Sequence, residues 1–573
     1  MDPLLQGAFA TGYERLAAWA DLLDEINVYP VADADTGRNL MISLAPLHRM
    51  DGSAETTVRK LLVSATGNSG NIASGFFAGF VAENPSKDMY QATRVGRGRA
   101  WQAIADPKPG TMLTVFDELL NHLENLSSDP SAATSPALID RLEKAVRSTS
   151  ETLPALKAAG VVDSGALGMF IFMEGFFSRL AGRADVFRPI TEIFNKKLRL
   201  PSDFVANHPQ GYCVDAVIHV GTDHDSRLEN LSRYGDSIVA LQENERLKIH
   251  IHTGQRDALR KQLADLGRLV QWSEEDMGAQ VENRSSSDTP RVIHIVTDAA
   301  GSVTREDAAR LGMTLLDSYI VVGDKSLPET LFPPEELYAL MRSGVKVTTA
   351  QASVFERHQR CQSILSRYGQ ALYLCVGSVY TGNYDVVAAW KERNDPENRL
   401  AVIDTGLASG RLGVVALATA RYAIQADDAE KVIRFAESAV RMSQEYIFLD
   451  RLQYLVAGGR LSKTKGFLGD LFHMKPVISP TTEGAVKAGT VRDKDEQLKF
   501  ALEKLEKGLG QDTRPLIMIE YSDNRQWVEN NVWGEIKSRF ASAEITLQPL
   551  SLTSGAHMGP GTWAIAFLPS TLQ

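Results

Sequence analysis

The spacing of apolar residues changes along this chain, and that change limits the folds available to it. Over residues 1 to about 180, apolar side chains recur at helical spacing, beginning with Leu5, Phe9 and Tyr13. Beyond residue 211, short strand-like runs alternate with helical ones. A chain of 573 residues is also too long for a single hydrophobic core. We therefore predict a multidomain protein of α and α/β regions, with an all-α N-terminal part.

The second half of the chain divides further. Strand-like runs at 212–220 and 247–253, with a helical run at about 256–269, predict a small α+β middle domain. A polar, serine-rich linker follows it, and the later alternation of strands and helices predicts a C-terminal α/β domain. We expect domains at 1–200, 205–280 and 291–573, with the linker at 281–290.

The composition excludes some classes of partner. There are 61 Lys and Arg against 71 Asp and Glu, a net charge of −10, so no basic surplus exists to neutralise nucleic acid phosphates. The three cysteines do not suggest a disulfide framework. The N-terminus lacks the features of a signal peptide, and no segment is long and apolar enough to span a bilayer. We expect a cytoplasmic protein that does not bind nucleic acid.

Two carboxylates lie two residues apart in the turn-rich segment 27–39, just before a predicted helix. Asp33 and Asp35 would supply hard oxygen ligands on a short loop, which suits Mg²⁺ shared with substrate phosphates. The helix start that follows would favour an anion through its free N–H groups. The same pattern is also typical of an Asx-turn that caps a surface helix. By itself, the segment leaves both interpretations open.

Three more turn segments follow, at 67–71, 107–115 and 161–168. The first has two glycines around Asn68 and Ser69, which would let backbone amides approach an anion closely. Each segment alone is equally compatible with a turn between helices. The P-loop motif G-x-x-x-x-G-K-[ST] does not occur in the sequence.

In their order and their amino-acid sequences, these four segments resemble the nucleotide-binding (DhaL) domain of dihydroxyacetone kinases, in the variant found in bacterial fatty acid kinases. The resemblance covers about residues 1–200 and implies an all-helical barrel that binds ATP, with Asp side chains holding Mg²⁺. Asp33 and Asp35 match the catalytic, metal-binding Asp pair, whereas Asn27 falls near the position of a further Asp in other members. The resemblance also implies a set of nucleotide-binding residues, namely Thr36, Gly37, Asn39, Asn68, Ser69, Gly70, Thr111, Met112, Asp163, Ser164 and Gly165.

The middle domain contains a second candidate metal site. His250 and His252 alternate on a predicted strand and so share one face, and Cys213 lies on another predicted strand. One thiolate and two imidazoles would make three ligands of a Zn²⁺ site. A solvated His-x-His pair with a separately buried cysteine is the alternative. The stretch resembles the middle domain of fatty acid kinases, in which the equivalent Cys and two His can bind zinc. We expect a zinc ion here to have a structural rather than a catalytic role.

Polar loops follow the strands of residues 291–573, and their hydroxyls and amides could hold a carboxylate. Together they resemble the DegV family of fatty-acid-binding proteins, whose pattern includes Thr-Asp-Ser, Thr-Ser-Gln-Pro-Ser, Ser-Gly-Thr, Gly-Gly-Arg and His-x-Gly-Pro-Gly. The chain departs from it at Ala299, Ala350 and Asn383, and has Thr381 in place of a Ser. The resemblance implies an acyl chain in an apolar tunnel and a carboxylate-binding set at its mouth, namely Thr349, Thr381, Gly382, Arg460 and His557.

Together, these resemblances imply an ATP-dependent kinase that phosphorylates the carboxylate of a fatty acid held by its own C-terminal domain, giving an acyl phosphate. ATP and Mg²⁺ would be the cofactors, with a structural Zn²⁺ in the middle domain. A homo-oligomer and a downstream acyltransferase are the protein partners that this interpretation leaves open. A glycerone-type kinase of a small hydroxy-ketone and a non-catalytic lipid-binding regulatory protein are the alternatives.

Overall fold

In a computed structural model, the chain divides into two compact units, Met1–Arg284 and Ser285–Gln573. The structure describes residues 2–50, 52–124, 136–183, 187–201, 204, 211–220, 231–243, 245–277, 291–457, 475–510 and 514–570. Two predictions lie outside the described residues. They are the linker at 281–290 and the carboxylate-binding residue Arg460.

The described part of the first 201 residues is helical. Helix α1 begins at Pro3, because the Asp2 carboxylate accepts a hydrogen bond from the Leu4 N–H (3.0 Å) and Pro3 is tolerated at the first helical position. The helix bounds are α1 Pro3–Glu25, α2 Thr36–His48, α3 Ala54–Ser64, α4 Gly67–Ala82, α5 Met89–Gln102, α6 Met112–Glu124, α7 Pro136–Thr152, α8 Pro154–Ala159, α9 Ser164–Leu180 and α10 Ile190–Ile193.

Helix α9 forms the centre of this region, since every residue from Ser164 to Phe177 is buried. Helix α1 packs along it, and Gly12 permits the close approach: a Cβ there would lie 2.8 Å from the Phe172 carbonyl oxygen. Aromatic rings from α1, α4 and α9 fill the space between the helices, with Phe9 tilted against Phe176 at 4.9 Å between ring centroids. The core therefore holds the N-terminal ends of α2, α4 and α9 in fixed relation.

A four-stranded antiparallel sheet with the order β2-β3-β1-β4 follows in the same unit. Its elements are β1 Tyr212–His219, a 3₁₀ turn Leu231–Arg233, β2 Asp236–Glu243, β3 Arg246–Thr253, α11 Arg256–Leu266 and β4 Arg268–Asp276. The predicted strands at 212–220 and 247–253 are present. The predicted helix does not extend to residue 269, because Leu269 pairs with Ile218 in the sheet.

The two faces of this sheet differ in chemistry. One face packs apolar side chains such as Val214 and Ile249 against Leu259 and Leu263 of α11. Because side chains alternate along a strand, the other face carries the polar set. Its buried members are Cys213, Asp215, Lys248, His250 and His252. In the register of the sheet, Cys213 pairs with His252 and Asp215 pairs with His250, so the set is clustered.

This polar face of the sheet lies against the helical region, and the two regions share backbone hydrogen bonds. The loop after α5 forms a β-bridge with β2, pairing Ile104 with Val239. The Ala105 N–H donates to the Ile238 carbonyl (3.1 Å), and the Ala240 N–H donates to the Ala103 carbonyl (2.7 Å). Helix α4 contacts β2 and β3. The sheet is thus joined to the helices as part of one compact unit.

The described residues of the second unit form three sheets. Strands β5, β6, β10 and β11 form a parallel sheet of order β11-β10-β5-β6, a six-stranded mixed sheet has the order β14-β13-β12-β17-β15-β16, and a small antiparallel sheet has the order β8-β7-β9. The strands are β5 His294–Asp298, β6 Thr314–Leu316, β7 Tyr319–Val322, β8 Lys325–Pro328, β9 Val347–Ala350, β10 Ala371–Cys375, β11 Leu400–Asp404, β12 Gln444–Phe448, β13 Lys475–Thr481, β14 Gly484–Val491, β15 Leu516–Tyr521, β16 Glu544–Pro549 and β17 Trp563–Leu568.

Helices cover these sheets, and one of them lies between the two larger sheets. The helices are α12 Arg305–Arg310, α13 Pro334–Arg342, α14 Val354–Tyr368, α15 Asn383–Asn394, α16 Ser409–Gln425, α17 Ala429–Met442, α18 Gln453–Ala457, α19 Lys494–Leu509, α20 Arg525–Val528, α21 Gly534–Arg539 and α22 Leu552–Met558, with 3₁₀ turns Ala299–Gly301 and Glu329–Leu331 and a π turn Glu529–Trp533. Helix α16 contacts β5 of one sheet and β15 and β17 of the other, so it carries the main apolar core. The predicted fold class, a helical region, a middle domain and a C-terminal α/β domain, is confirmed.

Candidate functional site

The two predicted metal-binding carboxylates lie in the loop between α1 and α2. Asp33 and Asp35 are both buried, and the Asn27 side-chain amide donates to the Asp33 carboxylate at 2.5 Å. Burial, followed by the neighbouring charge of Asp35, raises the pKa of Asp33 well above its ordinary value. Two adjacent buried carboxylates repel each other unless a proton or a cation lies between them. Their donor set fits Mg²⁺, which takes oxygen ligands from protein and phosphate together.

A third acidic residue of this region is one that the sequence analysis missed. The Asp24 carboxylate accepts hydrogen bonds from the N–H groups of Gly37 (2.6 Å) and Arg38 (3.2 Å) and so caps the start of α2. Asp35, the N-cap residue by position, makes no capping hydrogen bond with its side chain. Its carboxylate is therefore not used as the Asx-turn cap that the sequence left open.

The second glycine-rich loop lies opposite the Asp pair. Gly67 starts α4 with φ +63°, a left-handed conformation that favours glycine. Asn68 and Ser69 are half-buried. An open pocket of about 270 Å³, counting the solvent space within it, separates the two loops. It is lined by Asn27, Tyr29, Pro30, Val31, Asp33, Asp35, Thr36, Gly67, Asn68, Ser69, Cys213, His250 and His252.

The last predicted nucleotide loop approaches this pocket from α9. The Ser164 hydroxyl donates to the Thr36 hydroxyl at 3.0 Å. A Cβ on Gly165 would lie 2.8 Å from the Met112 methyl carbon and 3.5 Å from the Ser69 hydroxyl oxygen, so these three residues are neighbours. The structure therefore brings residues from all four predicted loops close together.

Several predicted residues take packing positions beside the pocket instead of lining it. Gly37 packs against the α1 backbone at Ala20, Asn39 contacts Gly67, and Gly70 contacts Ser43. The Thr111 hydroxyl donates to the Lys108 carbonyl (3.0 Å) at the start of α6. These residues hold the loops in place.

The candidate zinc ligands line the same pocket as the Asp pair. Ligand atoms of Cys213, His250 and His252 all lie within 4.8 Å of one another, and all three residues are buried. The surface-pair alternative is therefore wrong, because this face of the sheet packs against the helical region. His250 Nε2 and His252 Nδ1 are buried without hydrogen-bond partners. Such orphaned nitrogens beside a thiol fit a bound zinc ion.

Burial shifts the pKa values of Cys213 and His252 in this cluster. Burial, followed by the charge of His250, lowers the pKa of His252 to about 3, so its imidazole is neutral and can donate a lone pair to a metal. Burial, followed by the charge of Asp215, raises the pKa of Cys213 above its ordinary value. A metal ion would supply the positive charge that favours the thiolate.

Asp215 is a further buried residue of this site that the sequence analysis did not find. It lies two residues from Cys213 on β1 and thus on the same face of the sheet. Burial opposes its ionisation, but His250 and Lys248 together lower its pKa below the ordinary value. The alternation with Cys213 was the available signal for its position.

Two of the predicted carboxylate-binding residues, Thr349 and His557, contact each other, whereas Thr381 contacts Gln351, which was not predicted. Thr349 on β9 lies with its hydroxyl 3.2 Å from Nε2 of His557 on α22. The Gln351 side-chain amide donates to the Thr381 hydroxyl at 2.6 Å, and Gly382 precedes α15 as its N-cap residue. Thr349, Thr381 and His557 are half-buried.

The acid that ends β5 has a supporting role beneath Thr381. Asp298 is buried and accepts hydrogen bonds from Tyr373 (2.8 Å), the Val376 N–H (2.8 Å) and the Asn383 side chain (2.9 Å). The Asn383 N–H donates to the Thr381 hydroxyl at 3.2 Å. Asn383, which departs from the DegV pattern, therefore fixes the Thr381 loop through Asp298.

Comparison with known protein families divides the chain into three parts. Residues 30–178 match the DAK2 domain, residues 209–284 match the FakA-like middle domain of fatty acid kinases, and residues 292–570 match the DegV family of uncharacterised proteins. The chain thus joins a DhaL-type domain, a fatty acid kinase-type middle domain and a DegV domain, as the sequence predicts.

Similar proteins are known from several bacteria. An uncharacterised protein of Staphylococcus haemolyticus is 30% identical over 314 residues, 49% of this chain and 54% of that protein. One of Mycoplasma genitalium is 26% identical over 395 residues, 61% of this chain and 68% of that protein. The chain spans about half the length of the staphylococcal relatives it matches.

Solved structures of DegV proteins align with about half of the chain. A fatty-acid-binding DegV family protein from Thermus thermophilus is 22% identical, with a TM-score of 0.45 and coverage of 49% of this chain and 99% of that one. DegV of Bacillus subtilis, a fatty acid binding protein, is 18% identical with a TM-score of 0.45, covering 49% of this chain and 100% of that one. Among the residues that the structure describes, no helix is long and apolar enough to cross a membrane.

Proposed function

We propose that this chain is an ATP-dependent kinase that phosphorylates the carboxylate of a fatty acid held by its DegV domain. One observation carries the proposal: two buried carboxylates, Asp33 and Asp35, line a pocket together with the glycine-rich loop of Asn68 and Ser69. Carboxylates and loop amides are the two kinds of group that bind the Mg²⁺ and the phosphates of a nucleotide. The match to the DAK2 domain supports the same interpretation.

The proposed reaction is a phosphoryl transfer. A carboxylate oxygen of the fatty acid attacks the γ-phosphorus of ATP, the bond from that phosphorus to the β–γ bridging oxygen breaks, and ADP leaves with the electron pair. Mg²⁺, when bound, neutralises charge on the phosphates. Asp33 and Asp35 would hold that ion, and the amides of Asn68 and Ser69 would orient the phosphates. No general base is required, because a carboxylate is already ionised at pH 7.

The cysteine–histidine cluster would hold zinc at the wall of the same pocket. Cys213, His250 and His252 supply three ligands from two paired strands, and a fourth ligand would complete the tetrahedral geometry that zinc prefers. We propose that this ion stabilises the middle domain against the helical region. The match to the FakA-like middle domain supports this assignment.

The acyl substrate would be held in the second unit. The hydroxyls of Thr349 and Thr381, with His557 beside the first of them, offer hydrogen bonds to a carboxylate head group. The match to the DegV family over residues 292–570 supports a fatty acid as the ligand. Ala350 replaces one hydroxyl of the family pattern, so Thr381 would contribute more to carboxylate binding here.

Two other functions are tested in the same experiment. The DAK2 match favours a glycerone-type kinase of a small hydroxy-ketone, and the DegV match favours a non-catalytic lipid-binding protein. Full-length protein is incubated with Mg-ATP and either a fatty acid or dihydroxyacetone. ADP release and acyl phosphate, trapped as the hydroxamate, are then measured. We expect ADP and acyl phosphate to form with the fatty acid, and no ADP to be released with dihydroxyacetone. The double variant Asp33→Asn, Asp35→Asn should release no ADP with either substrate.

Each alternative has its own result. Turnover with dihydroxyacetone but not with fatty acids would establish the hydroxy-ketone kinase. Fatty acid binding without ADP release, in protein that also fails to bind Mg-ATP, would establish the lipid-binding protein and refute our proposal.

A further inference from the structure

One buried carboxylate connects the two parts of the first unit. Asp215 lies in β1 of the middle sheet and is 7% exposed. Its side chain lies on the polar face of the sheet and has partners in two elements. It accepts hydrogen bonds from residues at the N-terminus of α4, and it lies within ion-pair distance of Lys248 and His250 on β3.

Towards the helical region, Asp215 caps α4. Its Oδ2 accepts hydrogen bonds from the Thr66 hydroxyl (3.0 Å) and the Gly67 N–H (3.1 Å), and its Oδ1 accepts one from the Asn71 amide (3.2 Å). The N-cap residue Thr66 makes no capping bond to its own helix. The first turn of a helix has N–H groups without intrahelical partners, and here the cap comes from another domain. That first turn is the loop proposed to hold the nucleotide phosphates.

Towards the metal cluster, Asp215 orients a ligand. Its Oδ2 lies 3.4 Å from Nδ1 of His250, and its Oδ1 lies 3.3 Å from the Lys248 ammonium group. His250 Nε2 is the nitrogen without a hydrogen-bond partner. Nδ1 of His250 also lies 3.9 Å from the Cys213 Sγ, and a carboxylate beside a ring nitrogen fixes the tautomer and the orientation of the histidine ring.

We propose that Asp215 is a positioning residue that couples metal binding at Cys213, His250 and His252 to nucleotide binding at the start of α4. The same carboxylate oxygen contacts His250 and the Gly67 N–H, so a change in one partner alters the other. Thermodynamic linkage requires the effect to be reciprocal: metal changes nucleotide affinity by the factor by which nucleotide changes metal affinity. This inference rests on the proposed function, because it takes both ligands from it.

The coupling is measured with Zn²⁺ and a non-hydrolysable ATP analogue with Mg²⁺, on the full-length protein. Zn²⁺ affinity is determined by competition with a chelating dye, with and without the nucleotide, and nucleotide affinity is determined by calorimetry with and without Zn²⁺. For the natural protein we expect the two ratios to agree and to be about fivefold or more, the usual lower bound for coupled sites. In Asp215→Asn we expect both ratios to fall to about one, while each ligand still binds.

A matched control separates this role from a general electrostatic effect. Asp236 is an exposed carboxylate whose oxygen lies 4.0 Å from Nδ1 of the other histidine, His252. The hydrogen bonds that cap α4 are accepted by Asp215 and not by Asp236. Asp236→Asn should keep the full coupling ratio, and so should the conservative change Asp215→Glu if it restores the hydrogen bonds. If Asp215→Asn does not fold, Thr66→Val decides the question, because it removes one bond to the carboxylate and leaves the pair with Lys248 intact.

The outcomes distinguish the inference from the proposed function. An unchanged coupling ratio in Asp215→Asn, or in Thr66→Val where that variant is decisive, overturns the inference. So does a natural protein that binds both ligands independently. A natural protein that binds neither Zn²⁺ nor the nucleotide instead refutes the proposed function, and the inference fails with it.

Discussion

The carboxyl group that opens helix α9 should make the stability of the protein depend on pH. Asp163 is 4% exposed, and its Oδ1 accepts a hydrogen bond from the Ala166 N–H at 2.7 Å. Its own N–H donates to the Thr149 hydroxyl at 2.9 Å. Burial raises the pKa of Asp163 from 3.8 to about 7, and the single hydrogen bond from Ala166 only partly opposes this.

The sign of the effect follows from proton linkage. Between pH 4 and pH 7 the folded protein keeps a proton on Asp163 that the unfolded chain has released, so the free energy of unfolding falls as the pH rises. With pKa values of 3.8 unfolded and about 7 folded, the loss between pH 5 and pH 8 is about 3 kcal/mol. Asparagine retains a capping oxygen but has no charge to bury, so Asp163→Asn should not show this loss.

The assay is urea unfolding of the natural protein and of Asp163→Asn at pH 5 and pH 8, without metal or nucleotide. Between pH 5 and pH 8, the free energy of unfolding of the variant should rise by about 3 kcal/mol relative to that of the natural protein. Asp140→Asn, an exposed change on α7, serves as the control and should track the natural protein. Equal pH dependence of the natural protein and Asp163→Asn would refute the argument.

Three further changes test the remaining sites. Asp33→Asn with Asp35→Asn should abolish Mg-ATP binding by calorimetry while the circular dichroism spectrum is retained; unchanged affinity would contradict the assignment of the Asp pair. Cys213→Ser should reduce bound zinc, measured by elemental analysis, from about one ion per chain to none and lower the melting temperature. Metal-free natural protein with the same melting temperature would exclude a structural ion. Thr381→Ala should weaken fatty acid binding by roughly 1–3 kcal/mol, because a charged head group loses a hydrogen bond, and an unchanged dissociation constant would exclude Thr381 from the head-group site.

The sequence predicts local features well and distant contacts poorly. Alternation along a strand correctly placed His250 and His252 on one face of the sheet. It could not show that the face is buried, because the covering helix α4 begins at Gly67, far away in the sequence. The strand β4 was missed for a related reason: Leu269 is held in the sheet by its pairing with Ile218 and not by a local pattern.

The resemblance to known families supplied the candidate nucleotide loops but not the residues that support them. Asp24 and Asp215 cap helices α2 and α4 from outside those helices, so no capping pattern next to either helix start reveals them. Asp298 illustrates the opposite case. Its place at the end of a strand is typical of a ligand-binding residue, yet its carboxylate accepts three hydrogen bonds within the protein, and the one from Asn383 connects it to the loop that carries Thr381.

The β-bridge between Ile104 and Val239 has a consequence for how this protein can be cut or recombined. Family boundaries separate residues 30–178 from 209–284, whereas the backbone bonds at Ala103, Ala105 and Ala240 cross that boundary. A fragment ending near residue 200 would expose apolar surface on α4, where Gly75 lies against Leu241, and would leave the Gly67 amide without its cap. The smallest piece of the first unit that we expect to fold stably when expressed alone is therefore residues 1–284, and a graft of the helical region onto another protein must carry the sheet with it.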